Sequence, residues 1–141
     1  MNLFDVMGPV MVGPSSSHTA GAVRIGRIAR RLLAEGTPEA AEIALSGSFA
    51  ATGRGHGTDR ALVAGLLGMK PDDERIPDSF AIAREAGMAF SFEETTLPGE
   101  HPNTARLHLT GKSGKGISVT ASSLGGGRIE VVEIIGLRVS F

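Results

Sequence analysis

The chain has 141 residues, of which 41% are hydrophobic, enough for one folded domain with a buried core. Its 14 basic and 15 acidic residues leave a net charge of −1, and it has no Trp, no Tyr and only 6 Phe. We therefore expect no nucleic-acid partner and no anionic-membrane partner, since both need a positive surface and single-stranded bases also need stacking platforms. The absence of cysteine excludes disulfides, thiolate catalysis and a cysteine-held cluster within this sequence.

No apolar run approaches the roughly 20 residues that a membrane-spanning helix needs. The first ten residues, MNLFDVMGPV, lack the basic start and apolar block of a signal peptide. The sequence therefore predicts a cytoplasmic protein.

The first predicted element is a helix over 15–34, where apolar residues recur at spacings of three and four, with arginines mostly between them. The further predicted elements are a strand at 42–49, helices at 59–69 and 79–86, a strand around Phe90 and Phe92, and strands at 105–110, 116–123 and 128–134. This order predicts a single α+β domain with helices packed on a mainly antiparallel sheet.

The start of the first helix carries an unusual run of polar side chains. After Gly13-Pro14, the hydroxyls and imidazole belong to Ser15, Ser16, Ser17, His18 and Thr19. The free N–H groups and positive dipole end of a helix start favour a bound carboxylate or phosphate, and the hydroxyls strengthen that preference. The alternative is that one serine caps the helix and the others are solvated.

A glycine-rich segment at 53–59 precedes the second helix. Its His56 stands between Gly55 and Gly57, so no neighbouring Cβ hinders its approach to a ligand, and imidazole is suited to proton transfer near neutral pH. Thr58 or Asp59 is expected to cap the helix that follows. The alternative is an ordinary glycine turn with an exposed histidine and a capping aspartate.

Two weaker segments follow. His101-Pro102-Asn103-Thr104 is most simply a Pro-Asn turn, and 122–127 is either a loose hairpin turn or a contact surface for a partner. The four histidines have no zinc-like spacing, so we expect no metal bound by this chain, and His108, between two leucines of a strand, is expected to face solvent.

Together these segments resemble a known family. GPSSSHT before a helix, GRGHGTD after an LSGSFA strand, then HPNT and SSLGGG are similar to the beta region of iron–sulfur-dependent L-serine dehydratases. The resemblance implies a fold like the allosteric substrate-binding domain of phosphoglycerate dehydrogenase. It also implies an oligomeric L-serine ammonia-lyase that converts L-serine to pyruvate and ammonia.

The resemblance further implies a [4Fe–4S] cluster that an alpha chain or alpha domain holds through its cysteines, with one iron acting as a Lewis acid on the serine hydroxyl. This chain would contribute residues 1–141 as a beta domain, cut before a C-terminal ACT domain or alpha region. On its own it would then be inactive.

Within that family, the chemistry assigns roles to the polar segments. His56 is the expected base, because its glycine surroundings favour exposure, and His18 is the expected orienting or proton-sharing partner. Ser15, Ser16, Ser17 and Thr19 would bind the substrate carboxylate or a cluster-side ligand, or order the loop. The remaining candidates for the site or an interface are Gly55, Gly57, Thr58, Asp59, His101 and Asn103.

Three other functions compete with this assignment. The chain is alternatively a non-catalytic anion-binding regulatory module, or an assembly domain whose glycine loops form a contact surface. A stand-alone hydrolase using Ser17, His18 and Asp59 is the least favoured, because adjacent Ser and His on one helical turn rarely point at each other.

Overall fold

A computed structural model describes residues 16–46, 57–95, 103–125 and 127–138, and within these ranges every side chain except those of 16–18 and 137–138. The elements in chain order are α1 (Ser16–Leu33), β1 (Ala40–Ser46), α2 (Thr58–Leu66), a short 3-10 helix (Ile76–Asp78), α3 (Ser79–Glu85), β2 (Ala89–Glu94), β3 (Thr104–Thr110), β4 (Lys115–Gly125) and β5 (Arg128–Arg138). Every predicted helix and strand is present.

The five strands form one sheet in the order β2-β1-β3-β4-β5. Strands β3, β4 and β5 form an antiparallel meander, and β1 pairs antiparallel with β3. Strand β1 pairs in parallel with β2, and the chain connects them through α2 and α3. The prediction of a single α+β domain with a mainly antiparallel sheet is confirmed.

Helix α1 buries the apolar stripe that its periodicity predicts. Ile25, Ala29 and Leu33 are fully buried and belong to one core with Leu107 of β3 and Val119 of β4. Each buried aliphatic side chain of this size stabilises the fold by about 1.5–3 kcal/mol. The helix ends at Leu33, and Ala34 and Gly36 follow with positive φ.

Helices α1 and α2 touch backbone to backbone. A Cβ added at Gly26 would lie 2.4 Å from the carbonyl oxygen of Leu62, and one added at Gly65 would lie 2.2 Å from that of Val23. The two glycines therefore permit a closer helix crossing than any other residue would allow.

No helix among the described residues is both long and apolar enough to cross a membrane.

Candidate functional site

The starts of α1 and α2 lie at one end of the sheet, the end at which β1 finishes. Gly21, near the start of α1, contacts Ser123 of β4, next to the place where Ser46, Thr104 and Ser122 pair across the sheet. Glu35, just after the end of α1, contacts Ser113 at the opposite end of the sheet. Helix α1 therefore runs antiparallel to β1.

Helix α2 points in the same direction as α1. One Arg30 amino group donates to the Leu66 carbonyl at the end of α2, at 3.0 Å, and to the Thr37 hydroxyl just before β1, at 2.8 Å. The last turn of α2 thus lies at the beginning of β1, so its first turn faces the carboxyl end of β1. We call this end of the domain, with the first turns of α1 and α2 and with Ser46, Asn103, Thr104, Ser122 and Ser123, the site end.

The serine-rich segment contributes the first turn of α1 to the site end. Ser16, Ser17 and His18 have helical backbone, and Thr19 is half-buried. The prediction that Ser16, Ser17, His18 and Thr19 lie at the start of a helix is confirmed. Ser15, Gly55, His56 and His101 lie outside the described residues, and their roles stay predictions.

The first turn of α2 differs in one detail from the prediction. Gly57 is the N-cap residue, with φ 82° and ψ 10°, and no side chain caps the helix. Thr58 and Asp59 are the first helical residues, so the prediction that one of them is the cap is wrong. Glycine readily adopts this left-handed backbone conformation. With Gly57 as the N-cap, Thr58 and Asp59 occupy the first turn of the helix.

Both side chains at the start of α2 are buried. Thr58 is 2% exposed and Asp59 is 7% exposed. A carboxylate oxygen of Asp59 accepts the N–H of Arg60 at 2.7 Å, and the same oxygen lies 4.0 Å from the Arg60 guanidinium. A carboxylate in the first turn of a helix is stabilised by the helix dipole, so Asp59 places a fixed negative charge at the site end.

Buried hydroxyls from three strands, β1, β3 and β4, complete the site end. Thr104 Oγ1 and Ser122 Oγ are 2.8 Å apart in a buried hydrogen bond. The Ser123 N–H donates to the Asn103 carbonyl at 2.9 Å, which holds the segment before β3 against β4. Ser46, at the end of β1, is also buried.

Ser123 is the unusual member of this group. It is 3% exposed, and its Oγ has no hydrogen-bond partner among the residues that the structure describes. A Cβ added at Gly21 would lie 2.4 Å from that Oγ. A buried hydroxyl without a hydrogen-bond partner lowers the stability of the fold. Because the Ser123 hydroxyl does not stabilise the domain, it is a candidate for a functional role.

Sequence reasoning did not predict the burial of these hydroxyls. It placed Ser122 and Ser123 both at the end of the predicted strand 116–123 and in a hairpin turn at 122–127; the strand is confirmed for both residues, since β4 continues to Gly125 and the turn to β5 follows. The available signal for Ser123 was its two-residue spacing from the core residues Val119 and Ala121. Asn103, a candidate from the weaker segment, does lie at the site end, where it contributes its backbone carbonyl.

His108 lies away from the site end. It is half-buried beside Glu42 and Arg106 on the sheet face opposite α1, so it is less exposed than expected. Among the described residues, no group of three or more His, Asp or Glu is arranged to hold a metal ion. With no cysteine in the sequence, these residues do not fit as ligands of an iron–sulfur cluster.

Sequence similarity to known proteins shows the family of this chain. Residues 2–86, which include α1, β1, α2 and α3, match the family described as serine dehydratase beta chain. The chain belongs to the serine dehydratase beta chain family. The match includes both polar segments, GPSSSHT and GRGHGTD, that form or precede the helix starts.

Individual relatives extend the similarity to nearly the whole chain. The chain is 47% identical over 139 residues to the L-serine dehydratase beta chain of Peptoniphilus asaccharolyticus, and 45% identical over 138 residues to a probable L-serine dehydratase beta chain of Bacillus subtilis. Each match covers 98% of this chain and 62% of the relative. It is also 32% identical to L-serine dehydratase 2 of Escherichia coli, over 99% of this chain and 35% of that protein.

Proposed function

We propose that the chain is the beta component of an iron–sulfur L-serine dehydratase and that its site end forms one wall of an active site shared with the alpha component. The observation that carries the proposal is the meeting of two helix starts at one end of the domain. Each is the start that a family motif leads into, and the relatives that share these motifs are named L-serine dehydratases.

The reaction requires removal of the Cα proton of L-serine and departure of the β-hydroxyl. The enamine that forms tautomerises to an imine, and water then releases ammonia and pyruvate. In the proposal His56 removes the proton, because a glycine-flanked imidazole can reach the substrate and titrates near neutral pH. His18 orients the substrate or shares that proton.

The start of α1 is the proposed binding site for the serine carboxylate. The positive dipole end of an 18-residue helix attracts an anion, and Ser15, Ser16, Ser17 and Thr19 add hydroxyl groups. Asp59, at the start of α2, places a negative charge that suits the substrate ammonium. Departure of the hydroxyl needs an acid, and the described residues do not offer one. In the proposed enzyme the alpha component provides this acid through its cluster.

The remaining parts of the proposal follow from the same family. The likeness to the allosteric substrate-binding domain of phosphoglycerate dehydrogenase stays a prediction, as do an oligomeric assembly and a cytoplasmic location. A reducing compartment would preserve the cluster of the alpha component.

The test replaces each histidine separately in the complete alpha–beta enzyme. His56→Ala should lower kcat at least 100-fold, since general-base catalysis contributes typically 10²–10⁴-fold. His18→Ala should raise KM for L-serine and lower kcat as well. His108→Ala is the matched control, because His108 lies on the opposite face of the sheet, and it should leave both constants unchanged.

Cluster absorbance, measured in every variant, separates loss of chemistry from loss of cofactor. Normal turnover for either variant with an intact cluster removes that histidine from the mechanism. Normal turnover for both would favour the non-catalytic binding module.

A further inference from the structure

A groove rich in arginine runs along α1 beside β5. It has a volume of about 700 Å³, and its lining includes Arg24, Arg27 and Arg31 from α1, Arg128 from β5, and the apolar side chains of Ile28 and Leu124. We call these six residues the arginine groove. No acidic side chain lines it within the described ranges. Four cations thus share one surface of a chain whose net charge is −1.

The four arginines are available for a partner. Arg24, Arg31 and Arg128 are exposed and Arg27 is half-buried. In the part of the chain that the structure describes, the ion pairs join other arginines, namely Arg60, Arg75 and Arg106, to carboxylates. Cations held close together without counter-charges repel one another, so an anionic partner in the groove gains their combined attraction.

An apolar strip continues the groove along β5. Val131 and Ile134 pair with Ala121 and Val119 of β4, which belong to the core beneath α1, so their side chains lie on the helix side of the sheet. They are nevertheless 37% and 51% exposed, and among the β5 side chains that the structure describes, Ile129 at the start of the strand is the one that packs against the core. The helix side of an edge strand is thus uncovered next to four arginines.

We infer that the arginine groove and this strip bind an acidic, amphipathic segment of the alpha component, an inference that rests on the proposed function. Arg24 and Arg31 are seven residues apart, about 10 Å along a helix, so their charges are spread along the groove. Carboxylates spaced along a segment can neutralise both, while its apolar side chains cover Val131 and Ile134.

Two further observations favour the alpha component as the occupant. The groove begins where Arg24 passes over Gly127, next to Gly21 and Ser123 of the site end, so a partner that closes the site lies adjacent to it already. A second copy docked through the same groove in a two-fold arrangement would bring identical arginines face to face, which disfavours that complex.

The test measures the dissociation constant of the beta chain and the alpha component, together with serine turnover. Arg24→Glu/Arg31→Glu reverses two exposed charges, and Lys70→Glu/Lys112→Glu makes the same charge change on exposed residues elsewhere. At about 0.1 M salt, where screening is moderate, the groove variant should bind the alpha component at least tenfold more weakly and the control within about twofold.

Three further results should accompany this one. Added salt should weaken the wild-type complex more than the groove-variant complex. Excess alpha component should restore turnover of the groove variant to within about twofold of wild type, since the arginines act in association. Arg31→Glu alone, farthest from the site end, should show a smaller loss in the same direction and serves if the double variant does not fold.

Several outcomes overturn the inference. If the groove variant binds the alpha component as tightly as wild type and turnover is normal, the proposed function stands and the groove is not the interface. If inorganic phosphate stabilises wild type but not the groove variant, with association unchanged, the groove is a small-anion site. If the variant changes only the self-association of the beta chain, the occupant is a second copy. If wild type does not bind the alpha component at all, the proposed function fails together with the inference.

Discussion

Gly65→Ala should destabilise the domain although it places a better helix former inside α2. Alanine in a helix interior is favoured over glycine by about 1 kcal/mol. At this crossing, however, the new methyl group would lie 2.2 Å from the carbonyl oxygen of Val23 and 2.9 Å from the amide nitrogen of Arg27. Both are backbone atoms of α1, which no side-chain rotation can move aside.

The size of the effect follows from this geometry. Ordinary contact needs about 3.5 Å, so the helices must separate by roughly 1 Å and lose dispersion contacts along the crossing. Overpacking of a core costs typically 1–3 kcal/mol, and here the fully buried Leu62 and Leu66 flank the contact. We place the cost at the upper end of that range and subtract the helix preference of about 1 kcal/mol, so we expect a net loss of about 2 kcal/mol, which corresponds to a Tm lower by roughly 7 °C for a domain of this size.

Urea unfolding followed by circular dichroism measures this loss. Gly136→Ala is the matched control, because a Cβ there has nothing within 4 Å, and its stability should stay within about 0.5 kcal/mol of wild type. If Gly65→Ala is as stable as wild type, the two helices do not cross through their backbones. Separation of the helices also moves the two helix starts apart, so turnover of the complete enzyme should fall as well.

Three further changes test the hydroxyls of the site end and the opposite end of the domain. Ser123→Ala should leave the unfolding free energy unchanged or raise it by up to about 1 kcal/mol, because it removes a buried hydroxyl without a partner; a clear loss in urea unfolding would mean that the hydroxyl is bonded. Thr104→Val should cost about 1–3 kcal/mol in the same assay, because it leaves Ser122 Oγ buried without this hydrogen bond, and an unchanged midpoint would contradict that view. The Ser113 hydroxyl and N–H donate to the carboxylate of Glu35 and lower its pKa below 4.5. Glu35→Gln should therefore reduce Tm at pH 7, and the difference in Tm should disappear as the pH falls through the lowered pKa. A difference that persists in acid would exclude the carboxylate charge as its cause.

Much of the fold is predictable from the sequence because its signals are local. The spacing of Ile25, Ala29 and Leu33 predicts α1, and the alternation at Phe90 and Phe92 predicts β2. The pairing of strands is not local. Nothing in residues 40–46 indicates that they pair in parallel with 89–94 and antiparallel with 104–110, because those partners depend on the whole sheet.

The polar segments of the candidate site were also predictable from local sequence. The hydroxyls before α1 and the glycines before α2 stand out by composition, and the structure brings the two helix starts to one end. The lack of a hydrogen-bond partner for the Ser123 hydroxyl was not predictable, because it depends on the approach of Gly21 from another element. The groove beside the arginines of α1 was not predictable either, since helical spacing cannot show that β5 leaves a groove next to them.

The interior position of β1 in the sheet has a consequence for folding. The match to the family ends at residue 86, yet β1 forms its hydrogen bonds with β2 and β3, both of which come later in the chain. A fragment cut at that boundary would leave β1 with no neighbouring strand and the apolar side of α1 with no sheet to cover it. We therefore expect that residues 2–86 do not fold independently, and that the site end forms only after residues 58 positions apart, Ser46 and Thr104, have met.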